Sequence, residues 1–256
     1  MQLLQTKYIS LTHQSPEFDA AYDVISRDIA PEFLETREFL KNRLRVRDEE
    51  PKSAEEKILA QDGYTLHLIA AKQKDKVVGV IYGHLISKIG AENRGIAFVT
   101  YIAVLSTNRR QGVGSGLIEE LKNRVNQDSL RITGHPIIGM VFEIEEEGKE
   151  EIKGLVHTHH AWPLDVDYFQ PALRSGYEPE QMNLWYQSCE PEITSEAAAS
   201  AFKMPAELAM AIVRNMLVME YVGPETKGFD LPSKPYTEFI RSIRTRREIS
   251  FKLDKV

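Results

Sequence analysis

The sequence is short of several things, and each shortage closes a class of function. It holds a single cysteine, Cys189, in 256 residues, so neither an intrachain disulfide nor a thiolate metal cluster can be built within it. No stretch approaches the roughly 20 consecutive apolar residues that a membrane-spanning helix needs, and no membrane partner is expected. A basic excess is missing too: 32 Lys and Arg stand against 38 Asp and Glu, a formal net charge of −6. A chain that binds along a phosphate backbone carries the opposite sign, so no nucleic-acid partner is expected. The first residues, MQLLQTKYISLTHQSPEFD, show no basic stretch leading into an apolar core, which points away from a secretory leader and towards a cytoplasmic protein. What is present, 42% hydrophobic and 27% charged residues, suits one large domain or one domain with an appendage.

The apolar spacing predicts helices over 16–26 and 31–46, the second opened by Pro31 and an acidic residue. A charged connector, 47–57, follows. From Tyr64 the period changes: 64–71 and 77–86 read as an antiparallel hairpin around the polar turn 72–76. A loop through Gly90 and Asn93-Arg94-Gly95 leads into IAFVTYIAVL (96–105), a continuous apolar run that suits a strand covered on both faces. A helix is expected from Val113 to Val125, then a buried strand over 136–144. A helix over 150–161, a half-exposed strand over 164–169 and a return strand over 183–187 follow. Two further helical regions, 195–219 with a break at Pro205 and 235–248, close the sequence.

Chemistry concentrates where the 96–105 strand runs into Arg109-Arg110-Gln111-Gly112-Val113-Gly114-Ser115-Gly116. Glycines let backbone N–H groups approach a ligand, a helix N-terminus adds free donors and a favourable dipole, and the arginines add charge. Together they describe a pyrophosphate cradle, the alternative being a glycine-rich helix start with solvated arginines. A Walker A ending is absent, and the third glycine comes too early for the dinucleotide G-x-G-x-x-G spacing.

Arg109-x-x-Gly112-x-Gly114, preceded by YIAV, resembles the acyl-CoA-binding motif of GNAT-type N-acetyltransferases, and the surrounding element order is similar to that superfamily over about residues 8–188. The resemblance implies an α/β (α+β) GNAT fold: a mixed, mostly antiparallel sheet flanked by helices, its fourth and fifth strands splayed into a V. It further implies an acyl-CoA N-acyltransferase that moves an acetyl group from acetyl-CoA to an amine of a small-molecule or peptide acceptor by direct attack. Arg109, Arg110, Gln111, Gly112, Val113, Gly114 and Ser115 would then hold the pyrophosphate. Backbone groups of Ile102, Ala103 and Val104 would hold the pantetheine arm. A backbone N–H on the fourth strand would stabilise the oxyanion formed when a deprotonated amine attacks the thioester.

The sequence departs from the common family pattern at the tyrosine that protonates the leaving thiolate. Alternative threadings place Val156 or His157, or else Ala172, at that position. Tyr168, His157 or solvent remain as acids, and Glu143, on the other wall of the V, as the base. Glu143 also reads as an outward-facing strand residue beside Glu145-Glu146-Glu147. The missing tyrosine motivates a second hypothesis, a catalytically silent acyl-CoA-binding module.

Other candidates read more blandly. His157-Thr-His159-His160 has the wrong helical spacing for three ligands, so no metal site is expected. Cys189 has no His-plus-acid motif to activate it. RSIRTRR (241–247) reads as the solvated face of an amphipathic helix. The division expected is a catalytic domain over 1–190 and a helical C-terminal extension over 191–256, packed on the domain, covering the acceptor cleft or forming a homodimer. The segment 165–186, with Tyr168-Phe-Gln170-Pro-Ala-Leu, resembles a subset of family members and names no acceptor.

Overall fold

The computed structural model describes residues 5–49, 64–89, 93–145, 150–170, 180–190, 193–221, 240, 241, 243 and 246–252. Most of the expected connector, Gly90, Ala172 and most of the expected last helix lie outside the described residues. The chain opens with a strand absent from the sequence reading, β1 (Thr6–Leu11). It pairs along its whole length with β2, yet only Leu11 is buried and the strand shows no alternation to betray it. Helix α1 (Phe18–Asp28) buries Phe18, Ala21, Val24 and Ile25. The helix expected from residue 31 begins later. Pro31 opens a single 3-10 turn, Pro31–Phe33, and α2 (Arg37–Asp48) starts where the Phe39 N–H donates to Thr36 Oγ1, 3.2 Å away. Thr36 satisfies an orphan donor of the first turn that a proline cannot.

The hairpin forms as β2 (Tyr64–Gln73) and β3 (Lys76–Ile89). After β4 (Arg94–Val104), helix α3 (Val113–Thr133) runs eight residues past its expected end. Gly134 stops it at φ +78°, its N–H donating to the Leu130 carbonyl, as the left-handed C-terminal cap requires. β5 (Ile137–Glu145) follows. Helix α4 (Glu150–Thr158) ends three residues earlier than expected, because Ala161 already belongs to β6 (Ala161–Pro163). The strand expected over 164–169 is a bend followed by β7 (Tyr168–Gln170). Its alternation survives in burial: Leu164, Val166 and Tyr168 are buried and Asp167 is exposed. With β8 (Glu180–Ser188) the main sheet is complete, in the order β1-β2-β3-β4-β5-β8-β6, with β7 also on β8. Within it β4–β5 is the parallel pair and the others are antiparallel.

The break expected at Pro205 is a strand rather than a kink. Helix α5 (Glu196–Ala201) gives way to β9 (Met204–Pro205), then α6 (Ala206–Tyr221). β9 pairs with β10 (Glu248–Ile249), so Glu248 is extended and not helical.

Residue parity assigns the two faces of the sheet. Ala97, Val99, Met140, Phe142, Ile144 and Trp185 pack with α3 and α4. On the opposite face α1 and α2 cover Leu66, Leu68, Val80 and Tyr82. Beside them Ile212, Val213 and Met216 of α6 share one core with Phe98, Val141, Leu184 and Tyr186. The described part of 191–256 packs on the sheet through this common apolar core.

Candidate active site

The site begins at an irregularity in β4. Gly83 of β3 faces Val99 and Tyr82 faces Tyr101, which leaves Thr100 as an extra residue without a partner. This bulge reverses the alternation: Phe98 and Tyr101 fall on the same face, as a one-residue insertion must make them. It also turns β4 away from β5. Their last paired residues are Val99 and Phe142, although β5 continues on β8 to Glu145. The expected V opens there, as a cleft of about 600 Å³ through the sheet.

On the α3–α4 side the lining comes from Arg109, Arg110, Gly112, Val113, Gly114, Ser115 and Leu155. Arg110 at φ +58° and Gly112 at φ +78° bring the chain round to the helix. The first turn of α3 has no side-chain cap, and Gly116 is the first residue to donate back, to the Gly112 carbonyl. The N–H groups of Val113, Gly114 and Ser115 have no acceptor within the helix and favour an anion. The three glycines have three different reasons. Gly112 takes a left-handed conformation, and a Cβ on Gly114 would stand 3.0 Å from Leu155. A Cβ on Gly116 would lie 1.9 Å from the Tyr8 hydroxyl of β1, so that glycine serves packing. The arginines divide similarly. Arg109 donates through Nε to the Val104 carbonyl at 3.0 Å and through Nη2 to Asp28 at 2.8 Å. Its guanidinium braces the loop and occupies one of the carbonyls expected to hold a pantetheine arm. Arg110 is exposed. Gln111 folds back to the Thr107 carbonyl and is not part of the lining, nor is Ala103, which packs towards α1 and α2. Ile102 and Val104 do line the cleft.

On the opposite face the lining is Ile29, Phe33, Tyr101, Glu143, Gln170 and Met182. Glu143 shares the face of Val141, and β8 carries the register across to β7. There Tyr168, 1% exposed as a residue, donates through its hydroxyl to Glu143 Oε1. The facing wall rests on a buried polar network. The Tyr22 hydroxyl donates to the Glu35 carbonyl at 2.8 Å, and the Glu35 N–H donates to the Tyr101 hydroxyl at 3.2 Å. Arg43 lies 3.5 Å from the Glu35 carboxylate and donates to the Tyr82 hydroxyl. These contacts fix the segment that carries Ile29 and Phe33. Sequence reasoning gave no role to Ile29, Phe33, Thr100, Tyr101, Met182 or Gln170, although Tyr101 lies in the YIAV stretch and Gln170 in the Tyr168-Phe-Gln170-Pro-Ala-Leu segment.

The histidines scatter. His157 is turned from the cleft and meets Trp162 edge-on, ring centroids 4.6 Å apart, because Gly154, Leu155 and Thr158 occupy the cleft face of α4. His159 Nδ1 lies 3.1 Å from Glu119. Burial pushes its pKa below the ordinary value, against the pull of Glu119. Among the described residues no three metal-ligating side chains come together, and no helix is long and apolar enough to cross a membrane. Cys189 follows β8 and is half-buried, its N–H donating to the Ile138 carbonyl. In the arginine run, Ile243 is buried and Arg246 is tied to Asp165 at 2.8 Å.

Residues 28–133 match the sequence profile of the acetyltransferase (GNAT) family. Among solved structures, a GNAT-family protein from Bacteroides thetaiotaomicron superposes with a TM-score of 0.53 at 16% identity, over 85% of this chain and 98% of that one. Arabidopsis thaliana NAA60 in complex with acetyl-CoA superposes with a TM-score of 0.50 at 12% identity, over 73% of this chain and 99% of that one. Such identities establish a shared fold, a mixed, mostly antiparallel sheet flanked by helices. No curated sequence is a significant match to this chain.

Proposed function

We propose, from the premise that this chain carries a GNAT acetyltransferase domain in residues 28–133, that it transfers an acetyl group from acetyl-CoA to a primary amine by direct attack. The observation that carries the reading is the cleft itself. It crosses the sheet at the β4–β5 split, with an anion-binding helix start at one mouth and a carboxylate, Glu143, at the other. A substrate threaded from loop to carboxylate would present its thioester beside Thr100 and meet an amine arriving from the opposite face.

The residues present fit acetyl-CoA. The unpartnered N–H groups of 113–115 and the exposed Arg110 suit a pyrophosphate, and the glycine at 114 leaves room beside Leu155. Glu143 would bind the acceptor ammonium and take a proton from it. Tyr168, whose hydroxyl donates to Glu143, holds the carboxylate in place from below and does not itself line the cleft. As the C–N bond forms and the C–S bond breaks, the amine sheds two protons in all. One ends on the sulfur and one is released. NAA60 is described in complex with acetyl-CoA, which supports the same co-substrate here.

The test is calorimetric titration with acetyl-CoA, followed by release of free thiol in the presence of an amine panel. Binding with turnover is expected. Binding without turnover across the panel would favour the catalytically silent module, and no binding would overturn the reading.

A further inference from the structure

Gln170 is the least explained side chain of the cleft. It is 7% exposed and lines the acceptor mouth, and its carboxamide makes no hydrogen bond with a described residue. On β7 it shares a face with Tyr168, two residues away, whose hydroxyl touches Glu143. An amine seated at Glu143 therefore brings the group next to it within the neighbourhood of Gln170. A carboxamide at the surface of the cleft offers a ligand both a donor and an acceptor.

Resting on the acyl-transfer reading above, we propose that the acceptor is a primary amine with an uncharged carboxamide beside it, and that Gln170 selects it. A second carboxamide pairs reciprocally with Gln170, satisfying its N–H and its carbonyl together. A carboxylate satisfies the N–H alone and brings negative charge towards Glu143 and Glu145, both of which line the cleft. An alkyl group satisfies neither. Ile29, Phe33 and Met182 form apolar walls beside this pair and accommodate a small apolar substituent. Both a peptide N-terminus and a free amino-acid amide carry this chemistry.

The experiment compares alaninamide, alanine, propylamine and the peptide Ala-Ala-Ala-amide as acceptors, each corrected for its fraction of free amine. The expected kcat/KM for alaninamide exceeds that for alanine by about a hundredfold and that for propylamine by about tenfold. The tripeptide matches or exceeds alaninamide if the source is a peptide and falls below it if the source is a small amide. Gln170→Leu is expected to lower kcat/KM about tenfold more on alaninamide than on propylamine. Gln170→Glu, should the leucine variant not fold, is expected to remove the same preference. Equal rates with alanine and alaninamide, or an equal loss on propylamine and alaninamide, would overturn the inference while acetyl transfer stands. Acetyl-CoA binding with turnover of none of the four amines would overturn it as well. Absence of acetyl-CoA binding would overturn the underlying reading too.

Discussion

The two mouths of the cleft are made from different materials. On the α3–α4 side the structure offers backbone: the N–H groups of Val113, Gly114 and Ser115, exposed by a left-handed Gly112. On the α1–α2 side it offers side chains from four separate places, Phe33 before α2, Tyr101 on β4, Glu143 on β5 and Gln170 on β7. Backbone donors accept almost any residue that leaves the conformation intact, whereas a side-chain site changes with every substitution. The first mouth suits a co-substrate shared by many relatives, and the second suits an acceptor that distinguishes this chain from them. Acceptor-side substitutions should then act on turnover and loop-side substitutions on acetyl-CoA affinity.

The largest effect separates the two. Glu143→Gln removes the proposed proton acceptor without changing its shape, and kcat is expected to fall by about 10²–10⁴. Acetyl-CoA affinity, measured by calorimetry, should stay within twofold. An equal fall in affinity would place Glu143 in the binding of the co-substrate instead. Next, Gly112→Val forces a β-branched residue into φ +78°, at a cost of about 1–3 kcal/mol. The loop relaxes and the N–H groups turn away, so acetyl-CoA affinity is expected to fall about ten- to a hundredfold while thermal stability changes little.

Gly116 should behave unlike its neighbour. Gly116→Ala places a Cβ against the Tyr8 hydroxyl, and the ring must swing aside. A stability loss of roughly 1–2 kcal/mol is expected in urea unfolding, with acetyl-CoA affinity unchanged. The substitution should be tolerated in a Tyr8→Ala background, and failure of that rescue would locate the strain elsewhere.

These contrasts explain which features could be read from sequence. The loop was legible because its signal is local: glycine spacing, a preceding strand and a following helix lie within twenty residues. Glu143 was named because the resemblance puts its strand on the other wall of the V, and it does line the cleft. The bulge at Thr100 was not legible, because IAFVTYIAVL is apolar throughout and conceals a change of parity. The pairing of Glu143 with Tyr168 was not either, since it passes through the register of β8, and a helical phase error of one position was enough to aim His157 at the cleft. β1, with one buried residue, had no hydrophobic period to show. The C-terminal helices were visible as apolar segments, but only the shared core with Phe98 and Leu184 shows where they pack.

The adjacent arginines give the smallest and sharpest test, because sequence treats them alike and the structure does not. Arg109 lies between the Asp28 carboxylate and the Val104 carbonyl, its side chain 29% exposed. Arg109→Ala leaves a strand-end carbonyl and a carboxylate without their donor, costing about 1 kcal/mol of stability for a partly exposed pair. Arg110 is exposed at the mouth, and the same substitution should leave stability unchanged while weakening acetyl-CoA binding severalfold, an effect that diminishes as salt is raised. Asp28→Asn should copy the stability loss of Arg109→Ala and not the affinity loss of Arg110→Ala. If Arg109→Ala instead gives the larger, salt-sensitive fall in affinity, its guanidinium leaves Asp28 for the pyrophosphate when the co-substrate binds, and the loop-side mouth is built from a side chain as well as from backbone.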